Sequence, residues 1–198
     1  MPRPGVPDSY RTKARAEGYV ARAIYKLKAI DEKYRLLHRG QRVLDLGCAP
    51  GSWLQYLASR VGPTGVVVGV DLTPLAILVA PPIHFVLGDL AALELETVTA
   101  ISADFDAVVS DMAPKTTGIR EVDQQRSLDL VLLAWKWARK LLRPGGHFLV
   151  KVFEGPEVED LFRELEAAFR VCRRVKPPGS RAASKEIYLL AMNMKFKE

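Results

Sequence analysis

Apolar residues recur along the chain in short blocks that alternate between strand-like and helix-like spacing. Five blocks predict buried strands at 42–46, 66–70, 83–87, 106–110 and 147–153, and two more strands follow at 171–175 and 187–194. Helical spacing is found at 20–37, 51–60, 128–142 and 158–169. Alternating strands and helices predict a mainly parallel sheet covered on both faces. Because no helical pattern separates the last two strands, we expect a seven-stranded Rossmann-like α/β sandwich with one antiparallel strand.

The 198 residues are enough for one domain with a sizeable core. Residues 1–18 are rich in proline, glycine and charge, so we expect a loosely ordered segment followed by a single domain over 19–198. No apolar run suggests a signal peptide or a membrane span. Two cysteines favour a reducing, cytoplasmic location, and three widely spaced histidines predict no metal site.

Charge is distributed unevenly along the chain. Residues 1–42 carry 11 Lys/Arg and 4 Asp/Glu, a net charge of +7, and residues 170–198 carry 8 and 2, a net charge of +6. The residues between them are net acidic, by −7. Basic ends suit the phosphate backbone of a nucleic acid, although a basic surface also serves solubility alone. Charge therefore permits an RNA partner without requiring one.

A glycine-containing loop follows the first predicted strand and precedes a helix, in the order D-L-G-C-A-P-G-S-W over 45–53. Gly47 and Gly51 allow the backbone to turn tightly beside a ligand at the start of a helix. Asp71 ends the second strand, and its sequence spacing from Gly47 suits hydrogen bonds to the ribose of an adenosine. Asp89 follows the third strand and suits the amine of adenine. Capping of the following segments is the simpler role for both carboxylates.

Two nucleotide cofactors compete for such a loop. A nicotinamide dinucleotide requires close backbone access to its pyrophosphate, usually through G-x-G-x-x-G. Here Pro50 and Trp53 stand where that access is needed. S-adenosylmethionine has no phosphate, so the loop favours it over a dinucleotide.

Two charged residues are unusual for a structural sheet. Lys151 lies inside the apolar strand F-L-V-K-V-F, and Asp111 follows the fourth strand in S-D-M-A-P. A buried lysine is costly unless it is paired, so an ion pair between the two that ties neighbouring strands is one interpretation. The second interpretation is a catalytic pair, because ligands of open parallel sheets bind at the carboxyl ends of the strands.

Six motifs together resemble the FtsJ/RrmJ family of ribosomal RNA 2′-O-ribose methyltransferases over about residues 9–194. They are A-R-A-I-Y-K-L, D-L-G-C-A-P-G-S-W, V-L-G-D, S-D-M-A-P, V-K-V-F-E-G and S-K-E-I-Y. The resemblance implies a class I methyltransferase sandwich and a catalytic Lys-Asp-Lys-Glu tetrad. The four residues of that tetrad are Lys26, Asp111, Lys151 and Glu186. Cofactor contacts are implied at Gly51, Trp53, Asp71, Asp89 and Asp111.

The mechanism that combines the residues with this resemblance makes Lys151 the general base for a ribose 2′-hydroxyl. Asp111 and Glu186 would orient it, and Lys26 would hold the substrate. By resemblance, we expect a uridine of 23S-type large-subunit ribosomal RNA as target, in free RNA or in an assembled subunit. No sequence feature indicates an oligomer, so a monomer is the default expectation. Further RNA contacts are predicted for a basic set of residues, which comprises Arg173, Arg174, Lys176, Arg181 and Lys185.

Three other functions stay open on the sequence. A methyltransferase for transfer RNA or an mRNA cap would share every catalytic residue. A nicotinamide-dependent oxidoreductase is disfavoured by the loop around Pro50. An RNA-binding module without activity is disfavoured because all four tetrad positions are filled.

Overall fold

The computed structural model describes residues 9–177 and 185–196 of the chain. The helices are α1 (Ser9–Ala16), α2 (Ile24–Tyr34), α3 (Ser52–Val61), α4 (Leu95–Thr99), α5 (Arg120–Leu141) and α6 (Val158–Ala168). The strands are β1 (Arg42–Leu46), β2 (Val66–Asp71), β3 (Ile83–Leu87), β4 (Phe105–Ser110), β5 (Leu142–Phe153), β6 (Phe169–Val175) and β7 (Glu186–Met194).

The seven strands form one sheet in the order β3-β2-β1-β4-β5-β7-β6. Pairs along β3, β2, β1, β4 and β5 are parallel, whereas β7 runs antiparallel to both of its neighbours. The predicted Rossmann-like sheet with one antiparallel strand is therefore confirmed. The reversal places the start of β7 at the same edge of the sheet as the end of β5, because Phe153 pairs with Glu186.

Apolar side chains cover both faces of the sheet, as expected for strands that are buried on two sides. On one face, Trp135 of α5 packs near Phe148 and Phe169, with ring centroids 5.5 and 5.6 Å apart. On the other, Leu27 of α2 and Leu54 of α3 are fully buried in a second cluster. Each such buried side chain contributes about 1.5–3 kcal/mol to folding. The helices are thereby fixed to the sheet, which holds the residues at its carboxyl edge in place.

Two segments differ from the sequence-based expectation. Residues 9–16 form a helix within the segment predicted to be loosely ordered, and its Ala14 is buried; residues 1–8 lie outside the described part. Helix α5 begins at Arg120, eight residues before the apolar spacing begins at Leu128. Its early turns are polar, but the Asp123 carboxylate accepts hydrogen bonds from the preceding loop and supports the helix start without an apolar stripe.

Residues 143–146, which separate the predicted helix at 128–142 from the predicted strand at 147–153, belong to the fifth strand. Strand β5 begins at Leu142, which pairs with Phe105, and the register shifts before His147 pairs with Ala107. Gly145 within the shift has a φ of 82°, a conformation that favours glycine. Arg143-Pro144-Gly145-Gly146 therefore forms an irregularity inside a strand rather than a loop between two elements.

Candidate active site and cofactor cavity

Four side chains from four different elements meet at the carboxyl edge of the sheet. Ser110 pairs with Val150 in parallel register, which places Asp111 and Lys151 side by side at the ends of β4 and β5. The antiparallel register of β7 brings Glu186 to the same edge. Lys26 arrives from α2, whose apolar side chains belong to the core cluster on one face of the sheet. The structure thus assembles all four residues of the predicted tetrad.

Distances within the tetrad show one continuous charge network. The Lys151 Nζ lies 2.9 Å from Asp111 Oδ1, and the Lys26 Nζ lies 3.1 Å from Glu186 Oε2. Lys26 Nζ is also 3.8 Å from Asp111 Oδ1, so it stands between the two carboxylates. The ion pair considered from the sequence is present, as part of a network of four groups rather than as an isolated pair.

Lys151 is held in a defined orientation by a single neighbour. Its side chain is 5% exposed, and its Nζ donates to the backbone carbonyl of Asp111 at 2.7 Å as well as contacting the carboxylate. Two of the positions around the tetrahedral Nζ are thus directed at Asp111. The remaining position faces away from Asp111, where a substrate can approach.

Tyr188 orients Asp111 through a hydrogen bond. Its side chain is fully buried, and its hydroxyl donates to Asp111 Oδ1 at 2.5 Å. Burial raises the pKa of the Tyr188 hydroxyl well above its ordinary value, and the Asp111 carboxylate raises it further. The group therefore remains a hydrogen-bond donor at any pH at which the protein works. Tyr188 belongs to the S-K-E-I-Y motif, but the sequence alone indicated no role for it.

A cavity of about 340 Å³ opens beside the tetrad. Four of the residues predicted to bind the cofactor line it: Gly47, Asp71, Asp89 and Asp111. Apolar side chains complete its walls, including Leu72, Leu90, Met112 and Leu133. A mainly apolar cleft with a few convergent carboxylates is typical of a small-molecule site.

The carboxylates of Asp71 and Asp89 also cap their own loops. Asp71 Oδ2 accepts from Ala49 N at 2.8 Å, and Oδ1 accepts from the backbone and hydroxyl of Thr73. Asp89 Oδ1 accepts from Ala91 N at 2.9 Å. Each carboxylate oxygen has two lone pairs, so capping and ligand binding are compatible. The capping role considered from the sequence is therefore real and does not exclude the other.

Gly47 is required by its position under the cavity. Its φ is 76°, and a Cβ placed on it would lie 2.2 Å from Cγ of Met112. Any side chain would both strain the backbone and displace Met112 from the cavity wall. The backbone at Gly47 was predicted to approach a ligand closely; in the structure it lies close to the Met112 side chain.

Gly51 and Trp53, which were predicted to contact the cofactor, are not among the residues that line the cavity. Gly51, with φ 112°, lies against Ile77. Trp53 is 3% exposed; its Nε1 donates to the Ala23 carbonyl at 2.9 Å, and its ring stacks on Tyr188. Trp53 therefore fastens the start of α2 to the loop, which fixes the helix that carries Lys26.

Asp45 is a functional candidate that sequence reasoning missed. It lies on β1 with 1% exposure, and neither carboxylate oxygen has a hydrogen-bond partner among the described residues. Burial raises the pKa of Asp45 well above its ordinary value, and Asp111 and Asp71 add to the effect. A buried unpaired carboxylate is costly unless a cation joins it. The available signal was an acid inside the apolar strand R-V-L-D-L.

The charge around the cavity, including that of Asp45, can be compared with the charge of S-adenosylmethionine. That molecule carries a positive ammonium and a positive sulfonium, and the groups around the cavity are carboxylates. Asp71, Asp89 and Asp111 line the cavity, and Asp45 is buried close to two of them. The charges around the cavity therefore fit a cationic cofactor.

The residues predicted to contact RNA differ in availability. Arg174 on β6 pairs with Glu159 at 2.5 Å and lies over the Phe162 ring, so its guanidinium is already engaged. Lys185 lies exposed immediately before Glu186. Arg181 lies outside the described residues. Within the described ranges, no cluster of three or more potential ligands could hold a metal ion, and none of the helices is long and apolar enough to span a membrane.

Comparison with known proteins gives a consistent family. The family model of FtsJ-like methyltransferases matches residues 19–194. Ribosomal RNA large subunit methyltransferase E of Syntrophobacter fumaroxidans is 44% identical over 191 residues, covering 96% of this chain and 97% of that protein. The enzyme of the same name from Coxiella burnetii strain Dugway 5J108-111 is 46% identical, covering 93% and 89%.

Solved structures agree with the sequence matches. A crystal structure from Plasmodium falciparum, whose protein is assigned as a ribosomal RNA methyltransferase, superposes with a TM-score of 0.77 at 28% identity. The match covers 89% of this chain and 98% of that one. A structure from Clostridium thermocellum, with a TM-score of 0.58 and 17% identity, supports the fold alone.

Proposed function

Because the chain belongs to the FtsJ-like methyltransferase family, we propose that it methylates a ribose 2′-hydroxyl of large-subunit ribosomal RNA with S-adenosylmethionine. By family resemblance, the acceptor is a uridine of 23S-type RNA. The observation that carries the chemistry is the Lys151 amine, which is buried beside the cofactor cavity and contacts both the carboxylate and the backbone carbonyl of Asp111.

Residues of the cavity would hold different parts of the cofactor. Asp71 would accept from the ribose hydroxyls and Asp89 from the adenine amine, beside the apolar side chains of Leu72 and Leu90. Asp45, which is buried close to Asp71 and Asp111, would balance the ammonium of the methionine portion. Bound there, S-adenosylmethionine supplies an electrophilic methyl group on a sulfonium. Asp111, which belongs to both the cavity and the tetrad, aligns donor and base.

Proton removal is the task of Lys151. The amine, in its neutral form, accepts the 2′-hydroxyl proton and becomes an ammonium. The ribose oxygen bonds to the methyl carbon as the methyl–sulfur bond breaks, which leaves a neutral thioether. Asp111 stabilises the new positive charge through the same 2.9 Å contact that orients the amine. Lys26, held by Glu186, donates to the acceptor ribose and keeps its oxygen in line. Positioning by these fixed groups supplies much of the rate.

Transfer RNA and mRNA cap acceptors use the same chemistry, so the substrate requires a direct test. The chain is incubated with tritiated S-adenosylmethionine and, separately, large ribosomal subunits, protein-free large-subunit RNA and transfer RNA. Nuclease digestion and mass spectrometry then identify the methylated nucleoside. The proposal expects 2′-O-methyluridine from large-subunit RNA, free or assembled. Methyl groups found on a base, or only on transfer RNA, would contradict it.

A further inference from the structure

A second cavity adjoins the tetrad on the side of Glu186. It has a volume of about 270 Å³ and is lined by residues of the loop before α5, the start of α5, and the ends of β5 and β7. Its principal side chains are Arg120, Asp123, Gln124, Phe153, Lys185 and Glu186. It shares no lining residue with the cofactor cavity. Asp111 lines one cavity and Glu186 the other, and Lys26 contacts both carboxylates.

The walls of this second cavity are fixed by hydrogen bonds between elements. Gln124 Nε2 donates to the Glu154 carbonyl, and Phe153 N donates to Ser127 Oγ at 3.0 Å, so the start of α5 is tied to the end of β5. Glu154 N donates to the Lys185 carbonyl at 2.9 Å. Lys185 is thereby held at the same strand end. A site built on fixed elements needs little reorganisation to bind.

The balance of charge in the second cavity favours an anion. Both oxygens of Asp123 accept hydrogen bonds from Thr117 and Gly118, which lower the pKa of the Asp123 carboxyl, the Thr117 backbone most. Glu186 is paired with Lys26. In contrast, Arg120 and Lys185 are exposed and make no ion pair with any residue of 10–177 or 185–196. Lys26 balances Glu186, so Arg120 and Lys185 outnumber the one remaining carboxylate, that of Asp123, and the cavity is net positive.

The size and lining of the cavity restrict what it can hold. A volume of about 270 Å³ lies at the lower limit of ligand pockets, which suits one unit of a polymer rather than a large free ligand. The half-buried Phe153 ring offers a flat apolar surface of the kind on which nucleic-acid bases stack. Guanidinium and ammonium groups beside such a surface match a phosphate attached to a nucleoside.

We propose that the second cavity receives the acceptor nucleotide, and that Arg120 and Lys185 hold a phosphate that flanks its ribose. This inference rests on the proposed function and adds the residues that present the RNA. The cofactor lies on the Asp111 side of the tetrad and the nucleotide on the Glu186 side. The ribose hydroxyl then meets the methyl group at Lys151, between the two. Phe153 packs against the base of the bound nucleotide.

Kinetics of charge-removing variants test the assignment. Arg120→Gln and Lys185→Gln remove one cation each and keep most of the side-chain length. Lys136→Gln is the matched control, because Lys136 is exposed on α5 away from both cavities. With the best RNA substrate of the unmodified protein, we expect KM to rise about tenfold for each cavity variant, as for a lost charge-assisted hydrogen bond. The affinity for S-adenosylmethionine, measured by calorimetry, stays unchanged.

Salt dependence separates a phosphate contact from a structural effect. The logarithm of RNA affinity falls with the logarithm of salt concentration, with a slope of about 0.7 per phosphate neutralised on a single strand. Because Arg120 and Lys185 hold the same phosphate, the Arg120→Gln/Lys185→Gln double variant should reduce that slope by about 0.7. Arg120→Lys should keep the slope of the unmodified protein, and so should the Lys136→Gln control.

The outcomes distinguish the inference from the function on which it rests. An active enzyme whose Arg120→Gln/Lys185→Gln double variant keeps the KM and the salt slope of the control would overturn the nucleotide cavity alone. Absence of 2′-O-methylation by the unmodified protein on every RNA would overturn the proposed function itself. A rise in KM without a change in slope would overturn the phosphate contact.

Discussion

The Tyr188 hydroxyl donates to the same Asp111 oxygen that contacts the Lys151 amine, at 2.5 and 2.9 Å. One carboxylate oxygen is thus shared between a buried phenol and the proposed base. The phenol draws negative charge away from Asp111 and fixes its rotamer. It does so without touching either substrate, which makes Tyr188 a positioning residue.

Replacing Tyr188 by phenylalanine removes that shared hydrogen bond and keeps the ring. Asp111 then interacts more strongly with the Lys151 ammonium and is less well oriented. We expect kcat to fall about tenfold, as for a lost hydrogen bond to a charged group. The affinity for S-adenosylmethionine should stay unchanged, because Tyr188 does not line the cofactor cavity. An unchanged kcat would remove Tyr188 from the mechanism.

Asp45 should make the stability of the cofactor-free protein depend on pH. Because burial raises its pKa in the folded state, the folded protein binds more protons than the unfolded one above the unfolded pKa of about 3.9. The free energy of unfolding therefore falls as pH rises through the window between the two values. Asp45→Asn should abolish this contribution, so that its stability relative to the unmodified protein increases with pH.

The same Asp45→Asn substitution should weaken cofactor binding. A neutral amide cannot balance the ammonium of S-adenosylmethionine, and we expect an affinity loss of about tenfold or more. Urea unfolding across pH and calorimetric titration measure the two effects. Equal pH dependence in both proteins, together with equal cofactor affinity, would show that Asp45 is a structural residue.

Gly47→Ala tests the tight packing under the cofactor cavity. The added methyl group would strain a φ of 76° and overlap Met112. We expect a loss of about 2–4 kcal/mol in unfolding free energy and weaker cofactor binding. In the double variant with Met112→Ala, the overlap is relieved but the backbone strain remains, so unfolding free energy should return only in part. Full stability in Gly47→Ala alone would contradict the close approach.

Trp53→Phe distinguishes a cofactor contact from a helix anchor. The substitution keeps an aromatic ring near Tyr188 and removes the indole hydrogen bond to Ala23. We expect a loss of about 1 kcal/mol in unfolding free energy. Turnover should fall because Lys26 is less well held, whereas cofactor affinity stays within about twofold. A large loss of cofactor affinity would instead support the contact that the sequence predicted.

Much of the fold follows from local pattern. The bounds of β3 at Ile83 and Leu87 match the apolar block and its flanking residues, because turn residues punctuate the chain there. The start of α5 does not match an apolar block, because its first turns are polar. They are fixed by the Asp123 carboxylate, which accepts a hydrogen bond from the preceding loop. Helix α4, five residues at Leu95–Thr99, is too short to leave a periodic signal.

The site was less accessible to sequence reasoning than the fold. The pairing of Lys26 with Glu186 joins positions 160 residues apart, and only the family resemblance linked them. That Asp45 lacks a partner is a property of the folded core, so no local pattern reports it. Trp53 shows the converse, since a motif residue next to a cofactor loop directs its side chain to a helix instead.

Lys151→Ala tests the central claim most directly. The substitution removes the amine and leaves the cofactor cavity, which Lys151 does not line, intact. Single-turnover transfer of a tritiated methyl group, with the protein saturated with S-adenosylmethionine, isolates the chemical step. The account predicts transfer at least 100-fold slower, in line with loss of a general base, with unchanged cofactor affinity. Transfer at the rate of the unmodified protein would contradict it.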